Sequence, residues 1–134
     1  MAMNNKDFQT DLLNRINSVD GLSLKASLGY FEDDKDCLVL NSIPGGHVNT
    51  VYMDGTREVT LPFEVACKCK SNQLAIDTMW AITDALSAYD LEWVDGKSYN
   101  FVNIIVNRPA LNGRDQQGYF VHNLQLSAVI EIGG

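Results

Sequence analysis

Residues 59–69 read Val-Thr-Leu-Pro-Phe-Glu-Val-Ala-Cys-Lys-Cys, with an apolar or sulfur-bearing residue at every odd position. Thr60, Glu64 and Lys68 mark the even positions as mostly polar. Period two is the pattern of a strand with one buried and one wet face. Ser71 to Tyr89 follows at once and carries only two charges, Asp77 and Asp84. A one-sided sheet beside a helix that is apolar nearly all round needs more partners than a small chain supplies. The pattern is that of a chain built to assemble.

The flanking segments fill in the class. Phe8, Leu12, Leu13, Ile16 and Val19 recur at spacings of three and four, which predicts a first helix from Asn4 or Asn5 to Ser18. Asp7 and Asp11 suit its start and Arg15 its end, and Asp20-Gly21 stops it. Leu22–Leu28 alternates as a strand, Glu32–Asp36 is an acidic turn, and Cys37–Ile43 is a strand apolar on both faces at its start, hence central. These two strands are expected to form a hairpin. Pro44-Gly45-Gly46 breaks the chain, Val48–Met53 is a third strand, and Asp54-Gly55 signals a hairpin into a long strand over Thr56–Lys70. Pro62 inside it lacks an N–H, which marks an edge or a bulge. Ser71 or Asn72 caps the second helix. Trp93–Lys97 is a turn, Tyr99–Arg108 a fifth strand, Pro109–Gly118 a polar loop, and Tyr119–Ile132 the last strand, with Phe120, His122, Leu124, Leu126, Ala128 and Ile130 on one face.

The fold class expected is α+β: a mainly antiparallel sheet with two helices packed on one face, in the order helix, four strands, helix, two strands. The 134 residues form one domain, 1–134, with no linker or internal repeat. At 46% hydrophobic and 20% charged residues it is globular, not disordered. A net charge of −7 argues against gripping nucleic acid through its phosphates. No apolar run nears the roughly 20 residues that span a bilayer, and the N-terminus lacks a signal-peptide core, so a cytoplasmic setting without membrane is expected. Three cysteines, Cys37, Cys67 and Cys69, read as reduced thiols. Cys67 and Cys69 face the same way in a strand and read as core thiols; a metal site would need ligands beyond His47 and His122.

For catalysis there is little. His122 lies on an apolar strand face, the place of a hydrogen-bonded core histidine. No phosphate loop, nucleophile elbow or His-Glu-x-x-His motif is present. Nothing places Cys37 beside His122. Glu64, Lys68 and Lys70 read as solvated charges. No enzyme activity, metal or cofactor is expected.

The assembly signal concentrates in three places. At about 100° per residue, Ala75, Met79, Ile82 and Leu86 share the core side of the second helix, flanked by Thr83 and Tyr89. Asp77 and Asp84 mark the opposite side. Beside them lie Ala81, Ala85 and Ala88, with Trp80 and Ile76 well off the core stripe. A surface helix ordinarily carries charge over half its circumference, so this set is either covered by the chain's own loops or is a subunit interface. The loops 44–55, with His47, Tyr52 and Met53, and 108–118, with Arg108 and Arg114, are long for hairpin links. Contact elements and plain solvated connections both fit them.

In its opening Lys6-Asp7-Phe8-Gln9-Thr10-Asp11-Leu12-Leu13, the strand Leu61-Pro62-Phe63-Glu64-Val65 before the Asn72–Tyr89 helix, and the closing strand 119–132, the chain resembles a known family. These are the minor capsid proteins of long-tailed phages of Gram-positive bacteria, which look like relatives of the lambda-type tail terminators. The resemblance covers nearly all the chain. It implies a ring, expected to be a hexamer, that caps the tail tube and joins it to the head connector, in a virion assembled in the bacterial cytoplasm. The tube protein and the connector protein are the implied partners. DNA would pass through the centre without specific binding, which suits an acidic chain. A ring needs a heterologous interface, for which the second helix and the two loops are candidates. Another neck component, a stopper or adaptor, and a monomeric prophage binding module or small enzyme are the alternatives.

Overall fold

A computed structural model describes residues 5–19, 22, 24–29, 31, 35–87 and 99–132. The expected stops at Asp20-Gly21, the acidic residues 32–34, the helix end at 88–89 and the turn at 93–97 lie outside them. The chain runs α1 (Asn5–Asn17), β1 (Ala26–Leu28), β2 (Cys37–Ser42), β3 (His47–Val51), β4 (Arg57–Cys69), α2 (Asn72–Ser87), β5 (Tyr99–Val106), β6 (Ala110–Arg114) and β7 (Phe120–Ile132). This is the expected α+β order, with one short strand, β6, added inside the segment read as a loop.

The centre of the sheet is the antiparallel pair β4–β7, in unbroken register from Arg57↔Ile132 to Cys69↔Phe120. Thirteen residues at about 3.3 Å each make a ribbon on the order of 40 Å long. The odd residues of β4 and the even residues of β7 face the helices, as the alternation predicts. Val59, Phe63, Val65, Cys67, Leu124, Leu126 and Ile130 join Phe8, Leu12 and Ile16 of α1 and Ala75, Met79, Ile82 and Leu86 of α2 in one core. The Phe8 and Phe63 rings meet at 5.8 Å between centroids. Both helices thus lie on one face. Ser71 caps α2 by accepting from the Leu74 N–H at 3.2 Å, and the buried Thr83 hydroxyl is satisfied by Met79 O at 2.8 Å.

Each flank of the ribbon is covered by two strands end to end. β2 lies against residues 63–68 of β4 and β3 against 57–60. On the other side β5 lies against 126–132 of β7 and β6 against 120–123. Pro62 therefore sits on a central strand, not at an edge or a bulge. Its carbonyl accepts from Ile43 N–H at 3.1 Å, so its backbone polar groups point at the seam between β2 and β3. The missing N–H costs no ladder bond to β7.

The expected β1–β2 hairpin is corrected: the two strands pair in parallel, Ala26↔Leu38 to Leu28↔Leu40, and β1 is three residues, not seven. Side-chain amides set this pairing. Asn17 brackets Ala26, accepting from its N–H at 2.7 Å and donating to its carbonyl at 3.1 Å. Asn41 brackets Gly29 in the same way, at 3.3 and 2.8 Å. The segment 109–118 is a loop only in part: Ala110–Arg114 form β6, and residues 115–118 are the turn into β7. After the break at 107–109 the edge strand resumes as β6, with a bulge between Leu111 and Gly113. Edge strands tolerate proline and bulges, which is why Pro109 and Asn112-Gly113 misread as breakers.

Candidate subunit interface

On α2, periodicity separates what the sequence grouped. Trp80 and Ile76 lie on one shoulder of the helix and Ala81 and Ala85 on the other, with the exposed Asp77 and Asp84 between them. Ala81 and Ala85 are half-buried; Ala88 lies outside the described residues. Trp80 remains 41% exposed. It borders a mainly apolar groove shared with Ile76, Asn72, Pro109, Leu111 and His122. The wall across from the helix is thus the start of β6, beside Arg108. Leu111 is itself more than half exposed.

His122 closes the floor. It is buried, and its Nε2 bonds Asn72 Oδ1 at 2.8 Å, tying β7 to the first turn of α2. Burial lowers its pKa below the ordinary histidine value. This is the hydrogen-bonded core histidine the strand pattern predicts. It stands across from Cys67, whereas Cys37 stands across from Lys68.

The other candidates lie across the ribbon. His47, Tyr52 and Met53 belong to the β3–β4 hairpin, closed by Tyr52 N–H to Thr56 O at 2.8 Å and by Gly55 at φ +90°. Asp54 accepts from Thr56 N–H at 2.9 Å, which holds its carboxyl below the usual range. All five β3 residues are exposed, and Met53 is wholly so. Partial desolvation, then the charges of Glu58 and Glu131, push the Tyr52 phenol above its ordinary pKa. Glu58 and Glu131 are directly opposed in register. Asn49, the bulge residue, links Glu58 Oε1 at 3.1 Å to the Thr60 hydroxyl at 2.9 Å.

Arg114 lies in β6, at the far end of the ribbon from this hairpin. Thr60, opposite His47, and Cys69, level with Arg114, are nine residues apart, or about 30 Å. The candidates therefore split into two sets on opposite flanks. Ile76, Trp80, Arg108 and Arg114 lie on the β7 side; His47, Tyr52 and Met53 lie on the β4 side. The structure does not bring them together within one protomer.

Two readings of charge change. Lys68 is not a solvated strand end: it is 5% exposed, with its Nζ 4.9 Å from the Tyr119 ring centroid and 5.7 Å from that of Phe31. Lys70 is exposed as expected and donates to Gln117 O at 2.8 Å. Glu64 accepts from Asn123 at 3.3 Å. Cys67 and Cys69 are buried core thiols, as expected; desolvation above all pushes Cys67 up to about 12. Among the described residues no three His, Cys, Asp or Glu side chains are placed to hold a metal ion, and no helix is long and apolar enough to cross a membrane.

The face of the sheet away from the helices has its own signature, which chain-wide charge does not reveal. On β4 and β7 it presents Glu58, Glu64 and Glu131 among the polar Thr60, Asn123, Gln125 and Ser127 and the apolar Pro62, Ala66, Val121 and Val129, and its one cation there, Lys68, is buried.

No curated protein is similar enough to the chain to match it. The family model for the bacteriophage tail terminator protein matches residues 6–132. That match spans both helices and every strand, including both flanks and the groove, so the chain belongs to the bacteriophage tail terminator family, a structural family of the phage tail that is not normally catalytic.

Proposed function

We propose that the chain, acting as one domain, forms a ring, a hexamer, at the head-proximal end of the tail tube. There it stops addition of tube protein and joins the tail to the head connector. The observation that carries this reading is the division of exposed apolar groups between opposite flanks, Trp80 and Leu111 on one and Tyr52, Met53 and Val51 on the other. A surface whose two unlike patches lie back to back favours head-to-tail contacts, which form a ring where the rotation between copies closes and a filament where it does not. Ile76, Trp80, Arg108 and Arg114 would meet one neighbour and His47, Tyr52 and Met53 the other, with Ala81 and Ala85 on the helix shoulder toward further contacts, to which Ala88 would add.

The carboxylate face of the sheet is the surface suited to a lumen through which DNA passes without being held. In this reading assembly takes place in the cytoplasm of the host; the likeness to minor capsid proteins favours a Gram-positive bacterium, and the lambda-type terminators are a functional parallel. Electron microscopy of particles made without this chain tests the role. Over-long tails lacking heads are expected. Filled heads that lack tails and leak DNA would instead make it a stopper.

A further inference from the structure

The sheet ends in two bare edges that fit one another. Among the described residues no strand pairs the outer side of β3 or of β5. The two strands occupy the same stretch of the ribbon on opposite sides: Val48 is level with Val59, Ile130 and Phe101. Across the sequence β3-β4-β7-β5 every pairing is antiparallel, so β3 and β5 of one chain run in opposite directions. A second copy set beside the first in the same orientation therefore offers β3 to β5 with antiparallel polarity, and the alternation continues from copy to copy.

The edges carry bulges, one of the usual protections, but neither of the residue types that most often blunt an edge. Exposed edge strands are ordinarily blunted by lysine or proline; neither occurs in His47–Val51 or Tyr99–Val106. Instead both edges expose aliphatic side chains, Val48 and Val51 on β3 and Val102 and Ile105 on β5. Each carries a bulge, between Val48 and Thr50 and between Phe101 and Asn103, and bulges increase twist and are favoured at the rims of closed sheets. Neither edge strand adds a charge that would oppose the contact: His47–Val51 and Tyr99–Val106 contain no Asp, Glu, Lys or Arg. Residues 99–114 contain Arg108 and Arg114 and no acid, in a chain of net charge −7. The β3–β4 hairpin carries Asp54, Arg57 and Glu58, with Glu131 alongside.

The geometry points to a second copy of this chain as the occupant of both edges: β3 of one subunit hydrogen-bonds to β5 of the next, giving one antiparallel sheet shared around the assembly. This rests on the ring reading above and specifies its contact. The α2–β6 groove lies on the same flank as β5, so the subunit that pairs with β5 also covers Trp80.

Cysteine pairs test it. In a Cys37→Ser background, Val48→Cys or Thr50→Cys is combined with Asn103→Cys or Ile105→Cys, and Thr50→Cys with Ser27→Cys serves as control. Mild oxidation is applied to the concentrated protein and to tails assembled from the variants. A ladder of disulfide-linked chains from at least one β3–β5 pair and none from the control is expected. Val102→Lys with Ile105→Lys should leave circular dichroism unchanged and weaken self-association by about tenfold or more. No ladder from any β3–β5 pair in either preparation, or an equal ladder from the control, overturns the pairing. Tail length scores the functional reading separately. Over-long tails without the chain and no ladder keep the capping role and remove the edge pairing; a ladder with tails of normal length does the reverse.

Discussion

At the scale of residues, burial decides what each side chain does. Trp80 is half out of its own protomer, whereas Leu86 is wholly inside. Trp80→Asp should therefore leave the circular dichroism spectrum intact and reduce assembly measured by light scattering. Leu86→Asp should unfold the domain, because a buried unpaired charge costs several kcal/mol. Equal loss of folding in both variants would remove Trp80 from the interface. His122 supplies a pH test. Its folded pKa lies below the unfolded value of 6.5, so the unfolded chain binds the proton first as pH falls. Stability contributed by neutral His122 is full above 6.5 and is lost as pH drops toward the folded value. The difference in melting temperature between pH 7 and pH 5 should shrink in His122→Gln. Thiol chemistry offers a third check. Cys67 and Cys69 are buried with raised pKa values, and Cys37 is part-exposed. A disulfide reagent at pH 8 should modify one thiol in the native protein and all three in denaturant.

At the scale of elements, the long periodic segments were legible and the short irregular ones were not. The period-two run placed β4, and the spacing of Ala75, Met79, Ile82 and Leu86 placed α2 and its buried side. Asp54-Gly55 marked the hairpin. What failed shares a cause: the deciding interaction lay outside the local window. The pairing of β1 depends on Asn17 and Asn41, nine and twelve residues away from the backbone groups they bracket. Pro62 is tolerated because two separate strands meet opposite it. β6 resumes directly after Pro109 and persists through the Asn112 bulge because β7 supplies the ladder. Lys68 is buried by aromatic rings from distant segments. The same limit applied to the candidate interface: loop length picked out two segments, and only the register shows that they lie on opposite flanks. One element-level prediction is energetic: Ser71→Ala removes the acceptor for the Leu74 N–H and should cost about 1 kcal/mol in urea denaturation.

At the scale of the whole molecule, the sheet is a divider. Helices and the main core occupy one side, and the other carries the carboxylates, interspersed with neutral polar and small apolar groups. Replacing Glu58, Glu64 and Glu131 together by lysine should slow DNA passage or ejection while leaving tail length normal, provided this face borders the channel. Ejection kinetics and electron microscopy read the two effects independently. Glu58 and Glu131 are opposed like charges, an arrangement that weakens a strand pair. Glu131→Gln should accordingly raise the melting temperature slightly, which would show that the acidic face is kept at some expense of stability.

The unbroken ladder between β4 and β7 has a mechanical consequence. A protein at a joint carries whatever load the joint transmits. Pulled lengthwise along the ribbon, its rungs strain together and share the force; prised apart from one tip, they give way one after another. Such a ribbon is stiff in shear and weak in peeling, so the direction in which the neighbouring parts tug on it governs how well it holds.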